Sequence, residues 1–306
     1  MTPSGNTAQN VVLIDGVRTP FLMSGTEFTD MIAYDLQRFA FQGLLQRTDI
    51  SPSIVDHLVV GTVLQDPRTS NVAREASLAA GFSDRTPCHT VTMACISSNM
   101  AIASGMAQIA SGYNDVVVAG GVDTMSDVPI RVSRGMRKAL LSMNKAKTTG
   151  ARLQLMIPIL RNLGLELPAI SEFSTNEIMG HSGDRLAAAF NVSRLDQDEY
   201  ALRSHTLAHE ATEKGLLSDV LTINVPGKPK SVSKDNGIRP TSMEKMSKLK
   251  PAFIKPHGTI TPANASFLTD GASATLLMSE AKALSLGLKP KAYLRNYVFV
   301  AQDAKD

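Results

Sequence analysis

The residue whose chemistry is most informative in this chain is a cysteine, Cys95. An extended-looking stretch at 89–93 precedes it, and a run of small and flexible residues at 96–105 follows it. This pattern predicts a strand, a tight turn and a helix whose first residue is the thiol. The unpaired N–H groups and the positive dipole end of a helix amino terminus both favour a thiolate. The thiolate is the nucleophilic form of cysteine, so Cys95 is a candidate for covalent catalysis, although a lone cysteine is more often a small buried apolar residue.

The overall composition indicates a globular α/β protein. The 306 residues are 43% hydrophobic and only 5% aromatic, which is enough for two domains with a sizeable core. Two cysteines without metal-like spacing argue against a disulfide scaffold or a zinc site, and fit a reducing compartment. The net charge of +3 is too small to indicate a nucleic-acid partner. No apolar stretch is long enough to span a bilayer.

Strands and helices alternate through the first part of the chain, and such alternation predicts a parallel sheet covered on both faces. The predicted strands are 11–16, 57–61, 89–93 and 115–121, and the predicted helices are 33–47, 71–80 and the one that begins at Cys95. From 128 to about 256 the chain is more charged and richer in Met and Lys. Strand-like residues return at 274–278 and 291–300. The simplest arrangement is one α/β domain interrupted by a long insertion, with a second domain beginning near the end.

Seven short motifs occur in a fixed order, at 15–21, 93–98, 119–126, 179–182, 193–201, 249–253 and 264–272. Together they resemble the thiolase family (3-ketoacyl-CoA thiolases), most closely the β subunits of mitochondrial trifunctional enzymes of fatty-acid β-oxidation. The resemblance covers essentially the whole chain. Each motif is weak alone, and their common order makes the resemblance specific.

The resemblance implies an α/β thiolase fold, in which helices cover a mixed five-stranded sheet. Residues 1–127 and 257–288 are then the two parts of an N-terminal thiolase domain. A long, mostly helical insertion covers 128–256, and 289–306 is the start of a C-terminal thiolase domain.

The activity that the resemblance implies is acyl transfer by covalent catalysis. The Cys95 thiolate would attack the 3-keto carbon of a 3-ketoacyl-CoA, acetyl-CoA would leave, and free CoA would then take the acyl group from the cysteine. CoA is a substrate, and no bound cofactor or metal is implied. The backbone N–H of Cys95 would be one donor to an oxyanion hole.

Thiolases carry further catalytic groups in a C-terminal part that we expect beyond residue 306: an Asn-Glu-Ala motif, a Gly-His-Pro histidine and a second cysteine. Cys88 precedes the nucleophile by too few residues to be that second cysteine, and we expect it to be a buried strand residue. We therefore expect little turnover from this chain alone.

Three residues match positions that bind CoA or the acyl chain in thiolases. Ser266 matches a serine at the pantetheine, Arg239 an arginine near the nucleotide, and Met179 a methionine that lines the acyl pocket. The alternatives are a turn residue, a surface arginine and an ordinary core residue. Many thiolases have Gly where Phe267 stands, which changes the cleft locally. His181 is expected to be a capping or surface residue and not a catalytic base.

The stretch 129–165 is basic and amphipathic. It has eight Lys or Arg residues and no acidic residue, with apolar residues between them. This pattern favours docking on an anionic membrane surface or on a partner, and the alternative is a solvated insertion whose bases face CoA phosphates. The resemblance implies a homodimer formed through the N-terminal domain, an α subunit as partner, and a place in the mitochondrial matrix against the inner membrane. The first residues have the pattern of neither a signal peptide nor a transit peptide.

Two alternatives to a degradative thiolase stay open. One is a biosynthetic acetoacetyl-CoA thiolase or related condensing enzyme, which residues 94–98 faintly resemble. The other is a non-catalytic chain that acts as a scaffold or only binds CoA. The basic insertion and the motif at 179–182 favour the degradative enzyme.

Overall fold

A mixed sheet of seven strands is the central element of the computed structural model, which describes residues 9–169 and 171–303. Contacts divide the chain into a sheet unit, Met1–Asp127 with Met179–Asp306, and a smaller unit, Val128–Ile178. The nine strands of the described residues are β1 Val11–Arg18, β2 Leu22–Met23, β3 His57–Gly61, β4 Cys88–Val91, β5 Val116–Asp123, β6 Arg131–Val132, β7 Leu165–Glu166, β8 Thr269–Ser279 and β9 Ala292–Leu294. The predicted domain boundaries at 127, 256 and 288 stay predictions.

The order of strands in the large sheet is β4-β3-β5-β8-β1-β9, with the short β2 paired to β8. β3 pairs in parallel with β4 and with β5, whereas β8 is antiparallel to both β5 and β1. The expectation of a mixed sheet is confirmed, although the sheet has seven strands where five were expected. The parallel sheet expected from alternation alone is wrong for the second half. One helix connects β3 to β4 and another connects β4 to β5, and such crossovers give parallel pairing. β8 follows a long segment and not a single crossover helix, so this rule does not set its direction.

Helices cover both faces of the sheet. The nine α-helices of the described part are α1 Ala33–Thr48, α2 Val72–Ala80, α3 Ser97–Ala110, α4 Arg134–Lys145, α5 Thr149–Arg161, α6 Met179–Ala189, α7 Arg194–Glu213, α8 Met243–Ser247 and α9 Glu280–Ser285. Successive side chains of β5 point to opposite faces, so Val116 and Val118 join the core with α1 and α2. Val117 and Ala119 join a second cluster with α3. Burial on both faces explains why β5 is a continuous apolar run.

The smaller unit, Val128–Ile178, contains the helices α4 and α5 and a two-stranded antiparallel sheet of β6 and β7. Ala139 and Ile159 are the buried residues of the two helices. Many other apolar side chains are exposed, among them Leu141, Leu153 and Leu160. No helix in the described part of the chain is long and apolar enough to cross a membrane.

Candidate active site

Cys95 lies in the turn between β4 and α3 and is exposed to solvent. The helix begins at Ser97, with Ile96 in the cap position and no side-chain cap. The expectation that the thiol is the first helical residue is therefore wrong by two positions. Ala94 explains the difference, because its φ of 45° is left-handed and turns the chain before the helix can start.

A buried serine, Ser97, fixes this turn. Its hydroxyl donates to the carbonyl of Ala94 at 2.6 Å and accepts the N–H of Met93 at 2.8 Å. The backbone N–H of Ile96 donates to the carbonyl of Met93 at 3.2 Å. The backbone on both sides of Cys95 is thus held by hydrogen bonds, which reduces the conformational freedom of the reactive residue.

Two glycines allow the first turn of α3 to approach the sheet. Gly61 and Gly121 are register partners at the ends of β3 and β5. A Cβ added to Gly61 would lie 2.5 Å from the backbone nitrogen of Ser98, and one added to Gly121 would overlap the Ser98 side chain. No other residue type fits at Gly61 without movement of the turn that carries Cys95.

Two aspartates join the loops at the carboxyl ends of the strands. The buried carboxylate of Asp270 accepts the N–H groups of Met125 and Ser126 at 2.7 and 2.9 Å, and also accepts the hydroxyl of Ser126. The carboxylate of Asp123 accepts the N–H groups of Val63 and Leu64, both at 2.9 Å. These bonds connect the motif at 119–126 with the motif at 264–272 and with the loop after β3.

A cavity of about 770 Å³ lies in the sheet unit. Side chains of α7, the segment 235–238 and the segment 263–269 line it, and Ser266 is among them. Arg18 stabilises the lining segment 235–238, because its guanidinium forms a bidentate pair with Asp235 at 2.7 and 3.0 Å. The same carboxylate accepts the N–H of Phe21 at 2.7 Å, which fixes another lining residue.

Arg239 lines a second cavity of about 260 Å³, which shares His205 and Ala263 with the first. Its backbone N–H donates to Nδ1 of His205 at 3.2 Å. Its guanidinium lies 5.6 Å from the ring centroid of Phe267, within the range of a cation–π contact. The Phe267 ring lies directly over Gly237. Many thiolases have Gly in place of Phe267, so in this chain an aromatic ring narrows the cleft at this point.

The structure brings together Ser266 and Arg239 but not the other predicted site residues. Cys95 and Met179 line neither of these two cavities. Met179 is the first residue of α6 and is 78% exposed. His181, in the same helix, contacts Phe253 edge-to-face with ring centroids 6.4 Å apart. The functional roles of Cys95, Met179, Arg239 and Ser266 stay predictions.

Cys88 lies in β4, as expected, but it is half-buried where a buried residue was expected. Its thiol is 3.2 Å from the hydroxyl of Ser77. Burial raises the pKa of the Cys88 thiol despite this hydrogen bond, so it is a poorer nucleophile at neutral pH than an unperturbed cysteine.

No group of three or more His, Cys, Asp or Glu side chains that could hold a metal ion occurs within residues 9–169 and 171–303.

Solved structures of acyl-CoA-processing enzymes share this fold. The crystal structure of the Bacillus anthracis acetyl-CoA acetyltransferase superposes with a TM-score of 0.80 at 33% identity, over 94% of this chain and 69% of that chain. The crystal structure of human mitochondrial 3-ketoacyl-CoA thiolase gives a TM-score of 0.80 at 28% identity, over 94% of this chain and 70% of that chain. The fold is therefore that of the thiolase class of enzymes.

The family "Thiolase, N-terminal domain" matches residues 11–281, and the chain belongs to the thiolase family. It is 64% identical to the mitochondrial trifunctional enzyme subunit beta of Homo sapiens, over 97% of this chain and 63% of that protein. It is 58% identical to a probable 3-ketoacyl-CoA thiolase of Caenorhabditis elegans, over 97% of this chain and 67% of that protein. The chain thus spans about two thirds of the length of these relatives.

Proposed function

We propose that this chain takes part in fatty-acid β-oxidation as the nucleophile-bearing portion of a 3-ketoacyl-CoA thiolase. The reaction is thiolytic cleavage of a 3-ketoacyl-CoA by CoA, which gives acetyl-CoA and an acyl-CoA two carbons shorter. The observation that carries the proposal is the exposed Cys95 in a braced turn before α3 of a thiolase fold. A cysteine that only packed the core would be buried there.

Cys95 supplies the nucleophile in the first half of the reaction and is the leaving group in the second half. Its thiolate attacks C3 of the substrate, and the C2–C3 bond breaks with its electron pair going to an acetyl-CoA enolate, which then takes a proton. The acyl group stays on Cys95 as a thioester. The thiolate of free CoA attacks this thioester and releases the Cys95 thiolate. The backbone N–H of Cys95 donates to the oxygen that becomes negative during acylation.

CoA is the ligand that we assign to the two cavities that share His205 and Ala263. Ser266 contacts the pantetheine chain in the 770 Å³ cavity, and Arg239 pairs with phosphate at the nucleotide end. Met179 contacts the acyl chain. CoA is a substrate, and the chemistry uses no bound cofactor or metal.

Acylation of Cys95 is the step that tests the proposal on this chain, because thiol–thioester exchange needs only a thiolate and an acyl-CoA. After incubation with decanoyl-CoA, intact-mass measurement should show one decanoyl group per chain. Cys95→Ser should show none, and the matched variant Cys88→Ser should be acylated like the wild type. Acylation that persists in Cys95→Ser, or an unreacted wild type, would contradict the proposal.

The two alternatives differ in measurable ways. A biosynthetic acetoacetyl-CoA thiolase should prefer acetoacetyl-CoA over 3-ketopalmitoyl-CoA, and the structural similarity to the Bacillus anthracis acetyl-CoA acetyltransferase motivates this comparison. We favour the degradative thiolase because identity to the trifunctional enzyme subunit is 64% and identity to that acetyltransferase is 33%. A non-catalytic chain should bind CoA without acylation of Cys95.

The partners that we propose are a second copy of the chain, contacted through the N-terminal domain, and the α subunit of a mitochondrial trifunctional enzyme. The human relative is named as a subunit of a mitochondrial enzyme, which supports the α subunit and a mitochondrial location. The domain division at 127, 256 and 288 is part of the same proposal. Co-purification with the α subunit, and its loss on deletion of 129–165, would test whether this segment holds the assembly.

Peripheral contact with the inner membrane through 129–165 is a separate part of the proposal. Exposed apolar side chains, such as Leu141 and Leu153, alternate there with exposed cations such as Arg134 and Lys138. Arg137 is less suited to lipid because it pairs with Glu166 at 2.7 Å. Flotation with cardiolipin-containing vesicles should fall in Arg134→Glu/Lys138→Glu, and unchanged flotation would contradict the contact.

A further inference from the structure

The motifs at 193–201 and 264–272 meet at one buried carboxylate, that of Asp198. This residue of α7 is 1% exposed. One of its carboxylate oxygens accepts a hydrogen bond from Nε of Arg194 at 2.7 Å, and the other accepts one from Nδ2 of Asn264 at 2.9 Å. Asp198 therefore connects the helix that lines the large cavity with the segment that contains Ser266, two residues beyond Asn264.

The side-chain amide of Asn264 makes three hydrogen bonds. Its oxygen accepts the N–H of Thr261 at 2.7 Å, and its nitrogen donates to Asp198 and, at 3.0 Å, to the carbonyl of Thr259. The orientation of this amide is unambiguous, because both partners of the nitrogen are acceptors only. An Asp at 264 could not donate to either partner, and an Ala could make none of these three bonds.

The backbone around Asn264 is a compact turn that transmits this anchoring to Ser266. The N–H groups of Asn264 and Ala265 both donate to the carbonyl of Thr261, at 3.2 and 3.1 Å. Arg194, the other partner of Asp198, binds a third segment, since its guanidinium donates to the carbonyls of Met246 and Leu249. Asp198 is thus the junction of three segments, two of which supply lining residues of the cavity.

We infer that Asp198 is a positioning residue of the thioester-substrate cleft and acts through Asn264 on the placement of Ser266. The inference rests on the proposed function for the identity of the ligand, CoA. Asp198 does not line the cavity, so it affects binding only through the loop that it holds.

The sharpest test exchanges the hydrogen-bond donor and the acceptor between Asp198 and Asn264 by mutation. Asp198→Asn places an amide N–H₂ against Arg194 or Asn264, and Asn264→Asp places two carboxylates against each other. Each single variant should weaken CoA binding to the 306-residue chain by about tenfold, measured by calorimetry. In Asp198→Asn/Asn264→Asp the amide of residue 198 can donate to the carboxylate of residue 264. The double variant should therefore bind CoA more tightly than is expected from multiplying the losses of affinity of the two single variants.

A control for general destabilisation is Asp56→Ala. One carboxylate oxygen of Asp56 accepts two backbone N–H groups, those of Asp115 and Val116 at 2.9 Å each, and Asp56 lies at the amino ends of β3 and β5. This variant should lose stability and keep the CoA dissociation constant of the wild type. Wild-type binding by a folded Asp198→Asn, or strictly additive losses in the double variant, would overturn the inference.

Hydrogen exchange separates failure of this inference from failure of the proposed function. Amides at 261–266 should exchange about tenfold faster in Asn264→Ala and Asp198→Asn than in the wild type, while the amides of β5 exchange as before. This readout needs no ligand. If the wild type does not bind CoA, the proposed function fails and faster exchange still supports the positioning role. Unchanged exchange at 261–266 would overturn that role even if CoA binds.

Discussion

Gly61 is the position where a single added methyl group tests the geometry of the nucleophile turn. In Gly61→Ala the new Cβ would lie 2.5 Å from the backbone nitrogen of Ser98. Ordinary contacts of heavy atoms begin near about 3.5 Å, so the first turn of α3 must move away by roughly 1 Å. Because the obstructing atoms are backbone, we expect the upper end of overpacking costs, about 3 kcal/mol, or a fall in Tm of roughly 6–12 °C. A displacement of this size should slow acylation of Cys95 about a hundredfold.

The assays are thermal unfolding and the rate of decanoyl transfer from decanoyl-CoA, followed by intact mass. Gly16→Ala is the matched control, also at a strand glycine. There the added Cβ would approach only a side-chain methyl of Thr275, at 3.1 Å, and that methyl can adjust. It should cost about 1 kcal/mol or less and leave the transfer rate unchanged. Wild-type stability and rate in Gly61→Ala, or equal damage in Gly16→Ala, would refute the reasoning.

Three further predictions concern the core and the cleft. His57 and His89 are hydrogen-bonded at 2.7 Å, and burial lowers the pKa of both, helped for His57 by the charge of His89. The unfolded rings keep the ordinary pKa of 6.5, so the unfolded state binds more protons and stability should fall as pH drops below about 6.5. Between pH 7.5 and 5.5, urea unfolding should show a smaller loss in the free energy of unfolding for His57→Gln than for the wild type. An equal loss in both would contradict this. Asp270→Asn should cost about 2–3 kcal/mol in urea unfolding, because one amide oxygen replaces two acceptor oxygens that take four hydrogen bonds, and a cost near zero would contradict the bridging role. Arg239→Ala should weaken CoA binding about tenfold and leave pantetheine binding unchanged, so equal losses for both ligands would place Arg239 elsewhere in the site.

Local elements of the fold are largely predictable from the sequence. β3 has the predicted bounds 57–61, and α2 covers Val72–Ala80 where a helix was predicted over 71–80. Both predictions depend on short-range patterns of apolar and small residues. Asn71 stands just before the helix as its N-cap, with its side chain accepting the N–H of Arg74. The direction of β8 was not predictable in this way, because antiparallel pairing with β5 depends on the path of the long segment between them.

The candidate site residues were predictable from the sequence motifs, but the residues that hold them in place were not. Cys95 and Ser266 are singled out by motif, and the structure finds one in an exposed turn and the other in the large cavity. The roles of Gly61 and of Asp198 depend on partners 37 and 66 residues away in the chain, Ser98 and Asn264. No local pattern contains such contacts. The only available signal was that Asp198 and Asn264 both lie within recognised motifs.

The most direct test of the account compares the alkylation rates of the two cysteines in the same molecule. The 306-residue chain is treated with iodoacetamide at neutral pH, and peptides with Cys95 and Cys88 are quantified by mass spectrometry over time. The exposed Cys95 should react much faster than the half-buried Cys88, whose pKa is raised by burial, and CoA should protect it. Equal rates for both thiols, or a total rate unaltered in Cys95→Ser, would contradict the claim that Cys95 is the nucleophile.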